Sequence, residues 1–172
     1  KPPLKQRNDH RRSREYLTPT EVDRLIIAAK RLGRHGHRDA TMILLAYRHG
    51  LRVSELVALR REQVDLRQGL LHVRRRKHGL PSTQPLRGPE IRALRQLWRD
   101  NPATTPYVFI SERKAPLTES TFRKLVARAG EAANLGSRSP PWLRQRGEGQ
   151  SNAPVGDGAF EIAPRGMTPL AA

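Results

Sequence analysis

The stretch that most constrains this chain is Arg48-His49-Gly50-Leu51-Arg52-Val53-Ser54-Glu55-Leu56-Val57-Ala58-Leu59. Just upstream, the apolar run Met42 to Tyr47 reads as a buried helix. Gly50 supplies the positive-φ position that ends it. Ser54 can cap a second, short helix that carries Leu56, Val57 and Leu59 inward. Arg52 is then presented at a bend between two packed helices, close to the unpaired amides of a helix start. Amides and a guanidinium together make a phosphate clamp. Two plainer readings stand beside this one. Arg52 can merely decorate a helix start, where the macrodipole disfavours a cation. Alternatively, Ala46, Gly50 and Leu56 fit a helix-turn-helix pattern, which would make the chain a DNA-binding regulator.

Charge narrows the class of partner. Within 172 residues, 33 Lys+Arg face 16 Asp+Glu, a net charge of +17. A pI near 11.6 fits a polyanion. The excess is mostly arginine, which favours bidentate phosphate contact over diffuse attraction. No segment is long and apolar enough to span a bilayer, and no signal-peptide pattern opens the chain. With no cysteine there are no disulfides or thiolate metal sites, and a cytoplasmic setting is expected. Neither a metal nor a cofactor is expected. The hydrophobic fraction of 36% is low for a chain that packs along its whole length.

Read in order, residues 1–15 form a basic, flexible arm, with Arg11, Arg12 and Arg14 as candidate DNA contacts. Thr18-Pro19-Thr20-Glu21 is a helix start with a capping box, and Val22, Leu25, Ile26 and Ala29 mark its inward face. Gly33 stops that helix. His35 and His37 in the following link are too few to hold a metal and read as solvated. Asp39 opens the buried helix. After Leu59 the period changes. Val64-Asp65-Leu66 and Leu70-Leu71-His72-Val73 read as a hairpin about Arg67-Gln68-Gly69, and Ser82 to Leu86 as a third strand. The turn between the last two strands holds Arg74, Arg75, Arg76 and Lys77.

Gly88-Pro89-Glu90 starts a further helix with Ile91, Leu94, Leu97 and Trp98 on one face. Tyr107-Val108-Phe109-Ile110 is a short strand or extended piece. Thr118 caps a last helix, with Phe122, Leu125, Val126 and Ala129 inward and Gly136 as its end. From Ser137 onward, prolines and glycines interrupt every window long enough for a helix, so residues 137–172 read as a disordered tail. The expected fold is mainly α with a small three-stranded antiparallel sheet (α+β).

These motifs, in this order, resemble the catalytic domain of the tyrosine recombinase (phage integrase) family. Gly50-Leu51-Arg52-Val53-Ser54-Glu55-Leu56 resembles its first signature box. Tyr16 to Val22 resembles the opening of the domain. His72 to Gly79, ending in Ser82-Thr83-Gln84-Pro85-Leu86, resembles its lysine-bearing hairpin, especially that of the fimbrial phase-switch recombinases. The resemblance covers about residues 16–136 and implies a truncated form of the fold.

It implies metal-free strand exchange on double-stranded DNA, with further recombinase protomers as partners. A tyrosine attacks the phosphodiester, cationic groups stabilise the phosphorane, and a lysine protonates the departing 5′-oxygen. Arg52 matches the first catalytic arginine and Lys77 the hairpin lysine; Glu55 and Asp65 match acidic positions that support Arg52. Residue by residue there are plainer readings, a solvated lysine in a cationic turn and an exposed acid near a helix start. The family's His-x-x-Arg box should follow Leu135-Gly136, yet no histidine occurs after His78. No tyrosine follows Tyr107, so no nucleophile is identified; Tyr16, Tyr47 and Tyr107 read as packing residues. Two expectations follow. The chain binds DNA without cleaving it, and a frameshift or a decayed gene accounts for the change at Ser137. A non-functional fragment with uncovered apolar faces is the remaining alternative.

Overall fold

The computed structural model describes residues 17–74, 80–102 and 105–135. Thr18 caps helix α1 (Pro19–Arg31) as its sequence dictates: the Thr18 hydroxyl accepts the Glu21 amide, and the Glu21 carboxylate accepts the Thr18 amide at 2.8 Å. Val22, Leu25 and Ala29 are buried. After Gly33 in the left-handed region, helix α2 (Gly36–His49) turns back along α1. It starts three residues before Asp39, and the link is less solvated than expected. His37 Nε2 lies 2.9 Å from the carbonyl of Ala93, and His35 lies 3.0 Å from Glu112. Later parts of the chain fold over this link, which no local pattern could reveal.

Met42, Ile43, Leu45 and Ala46 of α2 are completely buried. Gly50 takes φ +56° and ends the helix as expected. Helix α3 (Val53–Val57) follows, and its N-cap is Arg52, not Ser54. Glu55, inside the helix, reaches back to the Arg52 amide, which fixes the boundary two residues earlier. A single-turn 3-10 helix (Arg61–Gln63) then leads into β1 (Val64–Asp65), β2 (Leu70–Val73) and β3 (Ser82–Pro85).

The sheet is antiparallel in the order β1-β2-β3, with Val64 opposite Leu71, Leu71 opposite Gln84 and Val73 opposite Ser82. Leu71 and Val73 point into the core while His72 faces out, the alternation of a half-buried strand. Helix α4 (Gly88–Asp100) packs against α2, and α5 (Glu119–Ala132) packs against α1 and α3. Phe109 and Phe122 are fully buried within one hydrophobic core. Tyr107–Ile110 is not a strand of the sheet; it makes isolated bridges from Tyr107 to Arg60 and from Ile110 to Pro116. Helix α5 ends at Ala132, and Asn134 just beyond it takes φ +54°, so the stop comes before Gly136, which lies outside the described residues. The fold is therefore mainly helical with one three-stranded antiparallel sheet, as the sequence predicts.

Candidate nucleic-acid interface

Arg52 stands where α2 gives way to α3. Leu51 and Val53, on either side, are buried and pin the backbone, while the Arg52 side chain is 56% exposed. Glu55 holds it from beneath. Its side chain is 2% exposed; Oε2 accepts the Arg52 amide at 3.0 Å and Oε1 lies 3.7 Å from the guanidinium. The carboxylate thus fixes the arginine's backbone and stands close to its guanidinium, which remains more than half exposed. Glu55 is not the exposed acid of the plainer reading.

Asp65 supports a different feature. Its Oδ1 accepts the amides of Arg67 and Gln68 at 2.8 and 2.9 Å, holding the β1–β2 turn. Those two amide bonds keep its carboxyl below the usual range. Arg74, at the end of β2, is 74% exposed in its side chain and stands 3.8 Å from Glu62. Lys77, Arg75 and Arg76 in the cationic turn, and Arg11, Arg12 and Arg14 in the arm, lie outside the described residues, as does Tyr16. Tyr107 is half-buried beneath the Arg60 guanidinium, 5.7 Å from its ring centre, but Tyr47 is 38% exposed and not a core residue.

A group that sequence reasoning missed lies directly behind the bend. His49, the last residue of α2, is almost fully buried; its Nδ1 is 2.8 Å from Gln84 Oε1 on β3 and its Nε2 is 3.2 Å from Glu90 Oε1 on α4. Gln84 Nε2 turns to Ser82 Oγ at 3.3 Å, leaving Oε1 toward the imidazole. The other Glu90 oxygen accepts the Arg87 amide at 2.5 Å, and Arg48 Nε is 3.8 Å from Oε1. Burial pushes the Glu90 carboxyl up, but the His49 and Arg87 bonds and the nearby charges more than offset it, leaving it below its ordinary value. A polar histidine closing an apolar helix was the only visible signal.

Helix α3 has five residues, and Val53, Glu55, Leu56 and Val57 are buried. It presents no face of the length a recognition helix needs in a major groove, which removes the structural basis for the helix-turn-helix reading. Among the described residues, no group of three or more His, Cys, Asp or Glu is placed to hold a metal ion. No helix among them is long and apolar enough to cross a membrane.

A bend arginine followed by a three-stranded antiparallel sheet and flanking helices is the architecture of a tyrosine recombinase catalytic domain, and comparison with known proteins bears out the fold. The family described as "Phage integrase family" matches residues 15–146. This chain belongs to that family. Type 1 fimbriae regulatory protein FimE of Escherichia coli K12 is 37% identical over 138 residues, covering 76% of this chain and 69% of the relative. That relative bears out the likeness to the fimbrial switch group. The crystal structure of XerA recombinase superposes with a TM-score of 0.64 at 25% identity, over 76% of this chain and 47% of that one. A lambda integrase dimer bound to a COC′ core site shares the fold, with a TM-score of 0.59 at 21% identity over 75% of this chain and 37% of that one. The chain spans less than half the length of these two solved recombinases.

Proposed function

We propose that this chain binds double-stranded DNA through the first half of a tyrosine recombinase active site and does not cleave it. Arg52 and Lys77 grip one phosphate from two sides, Glu55 fixes Arg52 and Asp65 holds the hairpin turn. Arg11, Arg12 and Arg14 in the arm, and Arg74, Arg75 and Arg76 in the turn, contact the flanking backbone. The observation that carries this reading is Arg52: an exposed guanidinium at a helix start, its backbone held by a buried carboxylate. Fixed positive charge aimed outward from a rigid bend is what stabilising a phosphorane requires.

Residues 1–15 serve as the arm, residues 16–136 as an incomplete catalytic domain, and 137–172 as a tail outside it. Within the 172 residues there is no His-x-x-Arg after Leu135 and no tyrosine after Tyr107, so neither the second cationic group nor the nucleophile is supplied. A frameshift, or a decayed gene, at Ser137 accounts for this. Reading the downstream coding DNA in the other frames should restore both, and finding neither in any frame would refute the frameshift. The chain acts in the cytoplasm, beside further recombinase protomers on the DNA.

The test is trapping on a nicked suicide duplex beside a version with the C-terminal region restored. Retarded DNA with no covalent adduct is expected from the chain alone. An adduct formed by the chain itself would overturn the proposal.

A further inference from the structure

Helix α4 carries a row of arginines that stands apart from the Arg52 bend. Arg92, Arg95 and Arg99 are all exposed. Their spacing of three and four residues sets them on one side of the helix, opposite the buried Glu90, Leu94 and Leu97. With a rise of about 1.5 Å per residue, the row is about 10 Å long. Arg95 donates to the Leu66 carbonyl at 3.4 Å, which lays the row alongside the β1–β2 turn, where Arg67 is also exposed. We propose that this row is a second contact for double-stranded DNA, taking backbone phosphates beyond the one held at Arg52. The proposal rests on the DNA-binding reading above, though not on the role of Arg52.

The charge of the row is uncompensated. Arg34, Arg38, Arg48, Arg52, Arg74 and Arg123 each pair with a carboxylate at between 2.7 and 3.8 Å. Among the described residues, Arg67, Arg92, Arg95 and Arg99 have no such pair. Asp100 is the only exposed acid on α4, and it sits at the last position. In the turn, Asp65 Oδ1 is committed to the amides of Arg67 and Gln68. Like charges three and four residues apart oppose helix formation, and a face kept for solubility alone would interleave the two signs. A polyanion laid along the row removes that repulsion and releases its own counterions.

The chemistry of the row selects DNA over a protein. Ile27, Tyr47 and Leu80 are the exposed large hydrophobics among the described residues, and none lies on α4. A protein interface needs an apolar anchor at its centre. The row offers guanidinium groups, which meet phosphate oxygens in pairs. A DNA strand rises about 3.4 Å per nucleotide, so a row of this length runs beside about three phosphates. Glu90, two residues before Arg92, lies 3.2 Å from His49, itself three residues before Arg52, so the row starts on the flank of the bend.

The test compares Arg92→Gln/Arg99→Gln with Lys30→Gln/Arg31→Gln, in the full chain and again beside Arg52→Ala, by duplex-binding anisotropy over a range of salt. Each pair removes two exposed positive charges from a helix. The α4 pair should make the plot of log affinity against log salt shallower by about two units in both backgrounds, and the α1 pair should leave it nearly unchanged. Arg92→Ala/Arg99→Ala repeats the test should the glutamine pair fold poorly by circular dichroism. An equal change from the α1 and α4 pairs would report net charge alone and overturn the proposal, as would an unaltered slope in folded α4 variants. Labelled polyglutamate is the second probe: if the α4 pair abolishes its binding while duplex binding holds, the row belongs to an acidic protein and the proposal falls. If Arg52→Ala leaves binding unchanged while the α4 pair still flattens the plot, the phosphate reading of Arg52 fails and the second contact stands.

Discussion

Glu55 accepts the backbone amide of Arg52 at 3.0 Å while its second oxygen stands 3.7 Å from the guanidinium of the same residue. One buried carboxylate thereby caps α3 and sets the position of the exposed arginine. Replacing it separates the two roles. Glu55→Gln keeps an acceptor for the amide and should lose little stability, whereas Glu55→Ala removes it. The alanine variant should be destabilised by about 1–2 kcal/mol, the scale of a lost helix cap, measured by urea denaturation. Equal stability of the two variants would contradict this assignment.

Arg52→Ala should leave the fold intact, because the side chain is more than half exposed. Its effect belongs to DNA binding: a loss of about 1–3 kcal/mol for one charge-assisted contact. The plot of log affinity against log salt should also become shallower by about one unit, one phosphate contact fewer. Binding that is insensitive to salt in the parent chain would be inconsistent with a phosphate-gripping surface.

Two glycines should respond differently to alanine. At Gly50 there is open space around a Cβ, and the penalty comes from φ +56°, about 1 kcal/mol. At Gly36 a Cβ would fall 2.1 Å from the carbonyl oxygen of Lys30, a backbone atom that cannot move aside without separating α1 from α2. Gly36→Ala should therefore lower the melting temperature further than Gly50→Ala. The reverse order would place the tight approach elsewhere.

Acid should weaken the junction of α2, β3 and α4. The Glu90 carboxyl lies below its ordinary value in the fold, so it contributes stability that is present above the unfolded carboxyl range, near pH 4.3, and is lost as pH falls through the folded value. Asp39 acts in the opposite sense. Burial raises its carboxyl against the lowering influence of Arg38, so its protonation on acidification favours the folded state. Denaturation curves from about pH 5 to pH 2 should show a flatter acid limb for Glu90→Gln than for the parent chain. A parallel limb would mean that Glu90 carries no part of the acid sensitivity.

The sequence alone determined the elements whose signals are local. The Thr18–Glu21 capping box, the left-handed stop at Gly50, the alternation of Leu71, His72 and Val73, and the spacing of Phe122, Val126 and Ala129 each follow from the steric and hydrogen-bonding needs of a few neighbouring residues. The ordered motifs around Arg52 also identified the family. Tertiary structure alone decided which polar groups meet across the fold. Glu90 lies 41 positions from His49 in the chain, and Gln84 lies 35; no local pattern pairs them, because their contact exists only once α4 and the sheet close over the end of α2. The same holds for His37 against Ala93, and for Arg61 over the Trp98 ring at 5.3 Å. Local chemistry sets where an element begins and ends. The burial that makes a distant carboxylate, amide or ring a partner is a property of the packed whole.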